Sequence, residues 1–329
     1  MRNAYIHSTG MYVPERVVPN SYFDELLGEP VSQWLIDNVQ IYERRWCNEN
    51  ESTSDLSVRA AQSALERGKI APEDVDLLII ATDTPEYISP STAAKVQHLL
   101  GLKNAGSFDV NTACAGFVTA LDMGSKYIRA DENYNTVLVI GAYAMSKYLN
   151  MTDKKTVTLF ADGAGAVILK STTDTQRGFL SSELITHGEY EGYMGIYAGG
   201  TYQPLSEKVL TNKDHLLKFV TKFPKELNPR MWSMMIRTLC DRIGVQPNDI
   251  DHFFMTQINI NSIWETMDML EVDRSKATTI MHYYGYTGSA CIPIALHEAD
   301  KQGKIKPGNL LMFIGSGGGL AFASAAFRM

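Results

Sequence analysis

A single cysteine, Cys114, stands in a setting that suits a nucleophile. It lies in the segment DVNTACAGFVTAL (residues 109–121), which follows the strand-like SFDV and opens a pattern of helical spacing. The first turn of a helix offers free N–H groups and the positive end of the helix dipole, and both favour a thiolate. The neighbours Ala113, Ala115 and Gly116 are small and leave room for a bulky group on the sulfur. The same pattern also suits a thiol that fills a hydrophobic core, so the segment by itself leaves both interpretations open.

Composition excludes several classes of function. The chain has 329 residues, of which 45% are hydrophobic and 20% charged, as is ordinary for a globular protein with a large core. Its net charge of -7 argues against a nucleic-acid binder, which normally carries a basic surplus. No run of the sequence approaches the roughly 20 apolar residues of a membrane span. We therefore expect neither nucleic acid nor a membrane among its partners.

The remaining motifs predict no metal and no cofactor. The four cysteines are far apart and form neither a CxxC pair nor a Cys/His cluster at zinc spacing. The first ten residues lack the apolar core of a secretory signal, which predicts a cytoplasmic protein with free thiols. The glycine cluster FIGSGGGLAFASAAF (residues 313–327) lacks both GxGxxG and the lysine of a Walker A loop. Strand-like sequence follows the glycines, so we predict a tight hairpin whose backbone N–H groups face a cleft.

Apolar runs of strand length alternate with amphipathic segments of helix length, which predicts an α/β protein. The helix SDLSVRAAQSALERG has Ser54 as its expected cap. A second helix, NPRMWSMMIRTLCDRIG, has Pro229 near its start and Gly244 at its end. The predicted buried strands are Val75–Asp83, Asn135–Tyr143 and Asn309–Gly317.

An internal repeat predicts two similar halves. APEDVDLLIIATDT aligns with QPNDIDHFFMTQIN, and TACAGFVTAL aligns with TGSACIPIAL, both at the same offset (247 − 72 = 175 and 287 − 112 = 175). Gly141 and Gly315, which end two of the predicted strands, have nearly this separation (315 − 141 = 174). Two copies are too few for a solenoid. We therefore expect a duplicated fold with halves at residues 1–171 and 172–329, packed as a pseudo-dimer; the alternative is chance similarity between two βα units.

The duplication also places the cysteine. The counterpart of Cys114 in the second half is Ser289, at the corresponding turn. We expect both turns on the same side of the molecule, near the pseudo-twofold axis, where a cleft gathers residues from both halves.

The chain resembles the thiolase superfamily, and in particular β-ketoacyl-ACP synthase III. The similarity covers nearly the whole chain and rests on TACAGF, FADGAGAVIL, YGYTGSACIPIAL, GKIKPGNLLMF and GSGGGLAFASAAF, all in family order. The resemblance implies a duplicated αβαβα layered fold of two pseudo-symmetric halves. It also implies an acyltransferase that takes an acyl group from a CoA or acyl-carrier-protein thioester onto Cys114. A decarboxylative Claisen condensation with a malonyl thioester then follows, and the active protein is a homodimer.

The resemblance implies an unusual catalytic set. In the family, the acyl carbonyl lies against two N–H groups, which here belong to Cys114 and Gly318. A histidine and an asparagine accompany the cysteine, and Thr256 and Tyr286 occupy those positions, at the family spacing (286 − 256 = 30). Their hydroxyls can donate a hydrogen bond but cannot act as an imidazole base near pH 7. We expect the helix terminus to lower the thiol pKa, so that acyl loading depends less on these positions than condensation does.

Substrate-binding positions also depart from the family pattern. Trp34 keeps the place of a tryptophan that stacks on the CoA adenine, and Lys154 resembles a basic residue that contacts the CoA phosphates. Asn259, the last residue of a His-Gln-x-Asn motif, is present. Ser316 and Ser89 replace bulky aromatic residues beside the acyl pocket. We therefore expect a wider or more polar cavity that loads long or oxygenated acyl chains faster than acetyl.

Two arginines of the family are replaced as well. The one that stacks on the CoA adenine is Asn38, and the one that contacts the carrier protein is Asn261. We expect lower CoA affinity from the first change, because a stacking group and a cation are lost. His282, four residues before Tyr286, is a weaker candidate for the missing imidazole.

Three functions remain open from the sequence. The first is the condensing acyltransferase, whose partners are acyl-CoA or acyl-carrier-protein thioesters, the acyl carrier protein and a second copy of the chain. The second is a non-condensing acyltransferase that acts on a small-molecule or carrier acceptor. The third is a catalytically silent subunit of a ketosynthase heterodimer. Retention of Cys114 among small residues argues against the third.

Overall fold

Two mixed β-sheets form the framework of the protein, and each takes its strands from one part of the chain. The computed structural model describes residues 2–329. The strands are β1 (Asn3–Tyr12), β2 (Val17–Pro19), β3 (Glu43–Arg45), β4 (Leu77–Ala81), β5 (Gly106–Val110), β6 (Thr136–Ala144), β7 (Asp162–Thr172), β8 (Gly178–Thr186), β9 (Met194–Gly195), β10 (Lys218–Phe219), β11 (His252–Met255), β12 (Leu310–Gly317) and β13 (Ala321–Arg328).

The α-helices vary from single turns to five turns in length. They are α1 (Asn20–Leu27), α2 (Ser32–Val39), α3 (Thr53–Gly68), α4 (Thr92–Leu100), α5 (Gly116–Ala130), α6 (Lys154–Val157), α7 (Glu207–Thr211), α8 (Leu227–Ile243), α9 (Ile260–Met269), α10 (Met281–Tyr284) and α11 (Cys291–Lys301). Two short 3₁₀ turns matter for the site, Ala113–Ala115 before α5 and Gly288–Ala290 before α11.

The two sheets have corresponding strand orders. The first is β1-β7-β6-β4-β5 and the second is β8-β13-β12-β11. β4 pairs in parallel with β6, as β11 does with β12, and the next two pairs of each sheet are antiparallel. The counterpart of β5 is a single parallel bridge between Phe253 and Ala277. The first residues of β4 and β11 have the separation that the repeat predicts (252 − 77 = 175).

The predicted α/β class and the duplicated layered fold are confirmed. All strands of the first sheet lie within residues 3–172, and all strands of the second lie within residues 178–328. The division into halves at residue 171 stays a prediction.

The predicted elements are present with two differences. The buried strands are β4, β6 and β12, and the two helices are α3 and α8, which ends at Gly244 in the left-handed conformation. The cap of α3 is Ser52 and not Ser54, because the N–H of Ser52 donates to the carboxylate of Asp55 (2.9 Å) in a capping box. β4 is shorter than predicted, and Asp83 lies in the loop beyond it.

Five layers of secondary structure alternate through the molecule. The middle layer is α5 and α11, which contact strands of both sheets. α3 and α4 cover the outer face of the first sheet, and α8 packs on the second sheet with α9 beside it. Strands buried on both faces need apolar side chains on both, which explains the continuous apolar runs in the sequence.

The two halves meet through backbone contacts that only glycine allows. Gly141 in β6 lies against the turn that carries Ser289, and a Cβ at Gly141 would stand 2.2 Å from the Ser289 carbonyl oxygen. Gly315 in β12 lies in the same way against the turn that carries Cys114, where a Cβ would stand 2.8 Å from the Cα of Ala115. A strand of each half thus receives the turn of the other half, and the two turns come into contact.

We predict that Gly141→Ala destabilises the fold by roughly 1–3 kcal/mol, because the added methyl group forces the Ser289 turn away from β6. Gly192→Ala is the matched control, since a Cβ at Gly192 meets no atom within 4 Å. The control should change stability by no more than about 0.5 kcal/mol. Thermal unfolding of both variants measures the difference, and equal melting temperatures would contradict the proposed contact.

Candidate active site

Cys114 lies in a strained turn between a strand and a helix. The turn Ala113–Ala115 follows β5 and leads directly into α5. The side-chain oxygen of Asn111 accepts the N–H of Ala113 at 3.0 Å. Ala113 has a φ of +46°, in the left-handed region that residues other than glycine rarely enter. On the other side a Cβ at Gly317 would stand 2.5 Å from the nitrogen of Cys114, so neighbouring backbone fixes the cysteine from two directions.

The side chain of Cys114 faces a cavity of about 260 Å³. The residue itself is only 3% exposed. Apolar parts of the wall come from Met145, Met194, Ile196 and Leu217. Polar parts come from Asp83, Asn111, Tyr143, Glu191, Tyr197 and the backbone around Gly318. The cavity therefore suits an apolar chain that carries one reactive polar group.

Two backbone N–H groups at this cavity are free to bind a ligand. The predicted glycine hairpin is present as β12 and β13, joined by residues 318–320. Within residues 2–329, neither the N–H of Cys114 nor that of Gly318 donates to a protein acceptor. Such donors beside a nucleophile can stabilise the negative oxygen of a tetrahedral intermediate. The assignment of Gly318 as the second donor stays a prediction.

Burial controls the protonation of the thiol. It raises the pKa of Cys114 well above its ordinary value, and the charge of Asp83 raises it further, whereas a hydrogen bond from the Tyr286 hydroxyl opposes the rise. The predicted lowering of the thiol pKa by the helix terminus is therefore wrong, because desolvation of an enclosed thiolate outweighs the nearby N–H groups. The sulfur is a neutral thiol in the free cavity, and its proton must leave when it attacks a substrate.

Tyr286 stands against the sulfur. A parallel bridge to Phe160 fixes its backbone, and its ring centroid lies 5.3 Å from that of Phe160 and 6.5 Å from that of Tyr143. Burial raises the pKa of Tyr286 well above its ordinary value, so the hydroxyl keeps its proton. The structure thus places the protonated hydroxyl of Tyr286 beside the sulfur of Cys114, where it is able to donate a hydrogen bond.

Thr256 and Ser316 bind each other instead of the cavity. The Thr256 hydroxyl accepts the N–H of Ser316 at 2.9 Å and donates to the carbonyl of Ser316 at 3.4 Å. Both residues are buried, and among residues 2–329 neither lines the cavity beside Cys114. In this arrangement the hydroxyl of Thr256 is engaged with the backbone of Ser316 and not with the cavity. A catalytic role of Thr256 and an effect of Ser316 on the acyl pocket stay predictions.

The positions expected to bind CoA lie on the surface around α2 and α6. Trp34 in α2 is 55% exposed. Lys154 in α6 pairs with Glu29 at 2.9 Å, in the connection that leads from α1 to α2. Ser89, which is expected beside the acyl pocket, lies in the exposed loop between β4 and α4. Contacts of these residues with a substrate stay predictions.

A chain of asparagines links α9 to α2. The side chain of Asn259 accepts the N–H of Asn261 at 3.0 Å and so caps α9. The side chain of Asn261 in turn donates to the carbonyl of Asn38 at 3.0 Å. The two positions where the resemblance implies arginines are therefore joined to each other, near Trp34. In this structure Asn259 caps α9, and its contact with a substrate stays a prediction.

His282 does not supply the missing imidazole. Its Nδ1 lies 2.8 Å from the carbonyl of Gln40, and its ring stacks on Tyr42 with centroids 5.6 Å apart. Both contacts hold the ring at the surface of α10. In the described part of the chain, no histidine lines the cavity.

Sequence reasoning missed five polar residues of the cavity, namely Asp83, Asn111, Tyr143, Glu191 and Tyr197. A signal for two of them was present. Asp83 is the last residue of the predicted strand Val75–Asp83, and Tyr143 lies near the end of β6. The sites of α/β proteins form at the carboxyl ends of parallel strands. Glu191 lies in a segment without regular periodicity, which gives no comparable signal.

Residues 2–329 offer neither a metal centre nor a membrane span. No group of three or more His, Cys, Asp or Glu side chains in this range is arranged to hold a metal ion. No helix described there combines the length and the apolar character needed to cross a bilayer.

Fold and site together define a thiolase-like protein, in which a cysteine lies between two duplicated α/β halves. Two models of one family match the chain: 3-oxoacyl-[acyl-carrier-protein (ACP)] synthase III over residues 108–188, and its C-terminal region over residues 240–329. The chain belongs to this family of ketosynthase enzymes.

Curated relatives and a solved structure agree with the family models. The beta-ketoacyl-[acyl-carrier-protein] synthase III of Aliarcobacter butzleri is 36% identical over 99% of this chain and 97% of the relative. The protein of the same name from Clostridium perfringens is 36% identical over 100% of both chains. The crystal structure of the synthase III from Aquifex aeolicus superposes with a TM-score of 0.88 at 31% identity, covering 99% of this chain and 100% of the other.

We predict that Tyr286→Phe raises the pKa of Cys114, because the hydroxyl that stabilises the thiolate is lost. Alkylation of Cys114 by iodoacetamide should move to higher pH and slow roughly fivefold at pH 8, the equivalent of one hydrogen bond of about 1 kcal/mol. Tyr284→Phe is the control, since the Tyr284 hydroxyl donates to Glu298 (3.1 Å). An unchanged alkylation profile in the Tyr286 variant would show that its hydroxyl does not bind the sulfur.

Proposed function

We propose that this chain is a condensing acyltransferase that works through an acyl-Cys114 intermediate. Cys114 attacks the thioester carbonyl of an acyl-CoA or acyl-carrier-protein donor, the donor thiol departs, and a malonyl thioester then condenses with the bound acyl group as CO2 is lost. One observation supports this proposal above the others. Cys114 faces a largely apolar cavity beside two N–H groups, its own and that of Gly318, that have no acceptor within residues 2–329.

The first half of the reaction is well supported by the site. The carbonyl oxygen of the acyl group would accept from the two N–H groups, which stabilises the tetrahedral intermediate without reorganisation. The acyl chain would lie along Met194, Ile196 and Leu217. Relatives named beta-ketoacyl-[acyl-carrier-protein] synthase III match over essentially the whole chain, which supports a carrier-protein thioester as a substrate.

The condensation step has weaker support within the site. Decarboxylation of a malonyl thioester forms an enolate that needs donors at its carbonyl. The hydroxyl of Thr256 is bound to the backbone of Ser316, so Tyr286 is the side-chain donor that remains at the sulfur. This observation favours one second candidate, a non-condensing transfer of the acyl group to another acceptor. The presence of Cys114 in a cavity beside two N–H groups that are free within residues 2–329 argues against a catalytically silent subunit.

The proposed active form is a homodimer in the cytoplasm. Ser89 would line the acyl cavity of the partner subunit, because it lies on an exposed loop next to Ile88, which is 86% exposed. An exposed aliphatic residue at a loop tip is typical of a contact surface. A heterodimer with a related chain would use the same surface.

We predict that incubation with a panel of acyl-CoA and acyl-carrier-protein donors adds an acyl mass to the peptide that contains Cys114. Cys114→Ala should abolish the adduct, and Cys240→Ala, on the buried face of α8, should keep it. Addition of malonyl-carrier protein to the loaded enzyme should release CO2 and a β-keto product. An adduct without CO2 would favour the non-condensing transfer, and the absence of an adduct with every donor would favour the silent subunit.

The cavity wall predicts the order of donors. Each methylene buried against the wall contributes about 0.8 kcal/mol, which is roughly fourfold in affinity. Hexanoyl-CoA should therefore load Cys114 faster than acetyl-CoA at equal, subsaturating concentration. Rates of mass increase for the two donors measure this preference, and faster loading of acetyl would contradict it.

A further inference from the structure

An acidic residue shares the cavity with the thiol. Asp83 lies in the loop directly after β4, and Cys114 lies in the turn directly after β5. The two strands are adjacent and parallel, so both side chains stand at the same edge of the sheet, on the wall of one cavity. Tyr143 lies near the end of β6, which pairs with β4 on its other side, and it lines the same cavity.

One oxygen of the Asp83 carboxylate lacks a partner in the described part of the chain. Its Oδ1 is buried and makes no hydrogen bond within residues 2–329. Lys95 in α4, the next helix along the chain, pairs with Glu86 at 2.6 Å. Burial raises the pKa of Asp83 to about 6. Natural proteins leave few buried polar groups unpaired, and such groups are concentrated at functional sites.

The other titratable groups around Asp83 are mostly tyrosines, with one exposed glutamate. Tyr143 faces it from β6, and burial raises the pKa of Tyr143 well above its ordinary value, so it stays neutral. Glu191 reaches the cavity from an exposed segment and is in contact with water. No Lys, Arg or His lines the cavity in the described part of the chain. The other titratable groups at the cavity or the thiol are Tyr197, Tyr286 and Cys291.

We propose that Asp83 accepts the proton of the Cys114 thiol during acyl transfer and delivers it to the departing thiolate. This role rests on the acyl transfer proposed above. The sulfur forms a bond to the thioester carbonyl carbon while its proton passes to Asp83, directly or through one water. The carbon–sulfur bond of the donor then breaks, and the departing thiolate takes the proton from Asp83. The products are acyl-Cys114, a free donor thiol and an ionised Asp83.

The other side chains near the sulfur are not suited to accept its proton. Tyr286 keeps its own proton, so it is a donor beside the sulfur and not a base. Thr256 is bound to the backbone of Ser316. The thiol is neutral in the free cavity, so a base is needed at the moment of attack.

The test measures two reactions of Cys114 between pH 5 and 8 in the wild type, Asp83→Asn, Asp83→Glu and Asp76→Asn. The first reaction is acylation by a saturating acyl-CoA, followed by intact mass. The second is alkylation by iodoacetamide, which needs only the thiolate. Asp76→Asn is the matched control, because Asp76 lies at the opposite end of β4 and accepts the N–H groups of Asn135 and Thr136.

The two reactions respond in opposite directions if Asp83 is the base. Wild-type acylation should rise with pH until Asp83 is ionised and then level off above about pH 6. Asp83→Asn should lose this limb and acylate roughly 10²-fold more slowly. Its alkylation should be no slower, because removal of a negative charge lowers the pKa of the thiol. Asp83→Glu should restore part of the pH-dependent limb, and Asp76→Asn should match the wild type.

Two results would overturn the proposal, and they differ from each other. In the first, Asp83→Asn is acylated at the wild-type rate or faster, and its alkylation moves to lower pH. Asp83 would then affect the thiol only through its charge and would not accept the proton. A wild-type Cys114 that is alkylated but accepts no acyl group from any donor would overturn the proposed acyl transfer, and this role of Asp83 with it.

Discussion

The close approach of two backbones sets the geometry of the whole site. At Gly141 and Gly315, a strand of each half comes so near to the turn of the other half that a single methyl group would collide with it. These contacts hold the turns of Cys114 and Ser289 together at the interface of the halves. The contact at Gly317 then presses the glycine hairpin onto the nitrogen of Cys114. The site therefore requires glycine at these positions. This requirement explains why Gly141 and Gly315 occupy matching positions in the repeat.

The same closeness has a consequence for the chemistry. The packing that positions Cys114 also excludes water from it, and the pKa of its thiol rises instead of falling. A neutral thiol is a poor target for oxidation, which is an advantage for a cysteine that must stay reduced. It is also a poor nucleophile, so the protein has to provide a route for the proton. Two groups beside the sulfur can serve this route: the hydroxyl of Tyr286 and the carboxylate of Asp83, whose buried Oδ1 has no partner within residues 2–329.

The sequence predicted the architecture well because the fold repeats itself. Buried strands such as β6 and β12 are continuous apolar runs, and the fixed offset between the halves identified matching turns. The site was predicted in part. Cys114 and Tyr286 come together, but Thr256 and Ser316 satisfy each other through a backbone contact that no motif reveals. The thiol pKa was predicted in the wrong direction because a local argument about a helix terminus says nothing about burial by distant segments. Asp83 was missed because its importance depends on which strands become neighbours.

The central claim is that Cys114 carries an acyl group whose carbonyl oxygen lies between two backbone N–H groups. A crystal structure of the protein acylated on this residue tests it most directly. The account predicts an acyl oxygen about 2.7–3.1 Å from the nitrogens of both Cys114 and Gly318, with the chain along Met194 and Leu217. An acyl group on another residue, or a carbonyl that points away from both nitrogens, would contradict it.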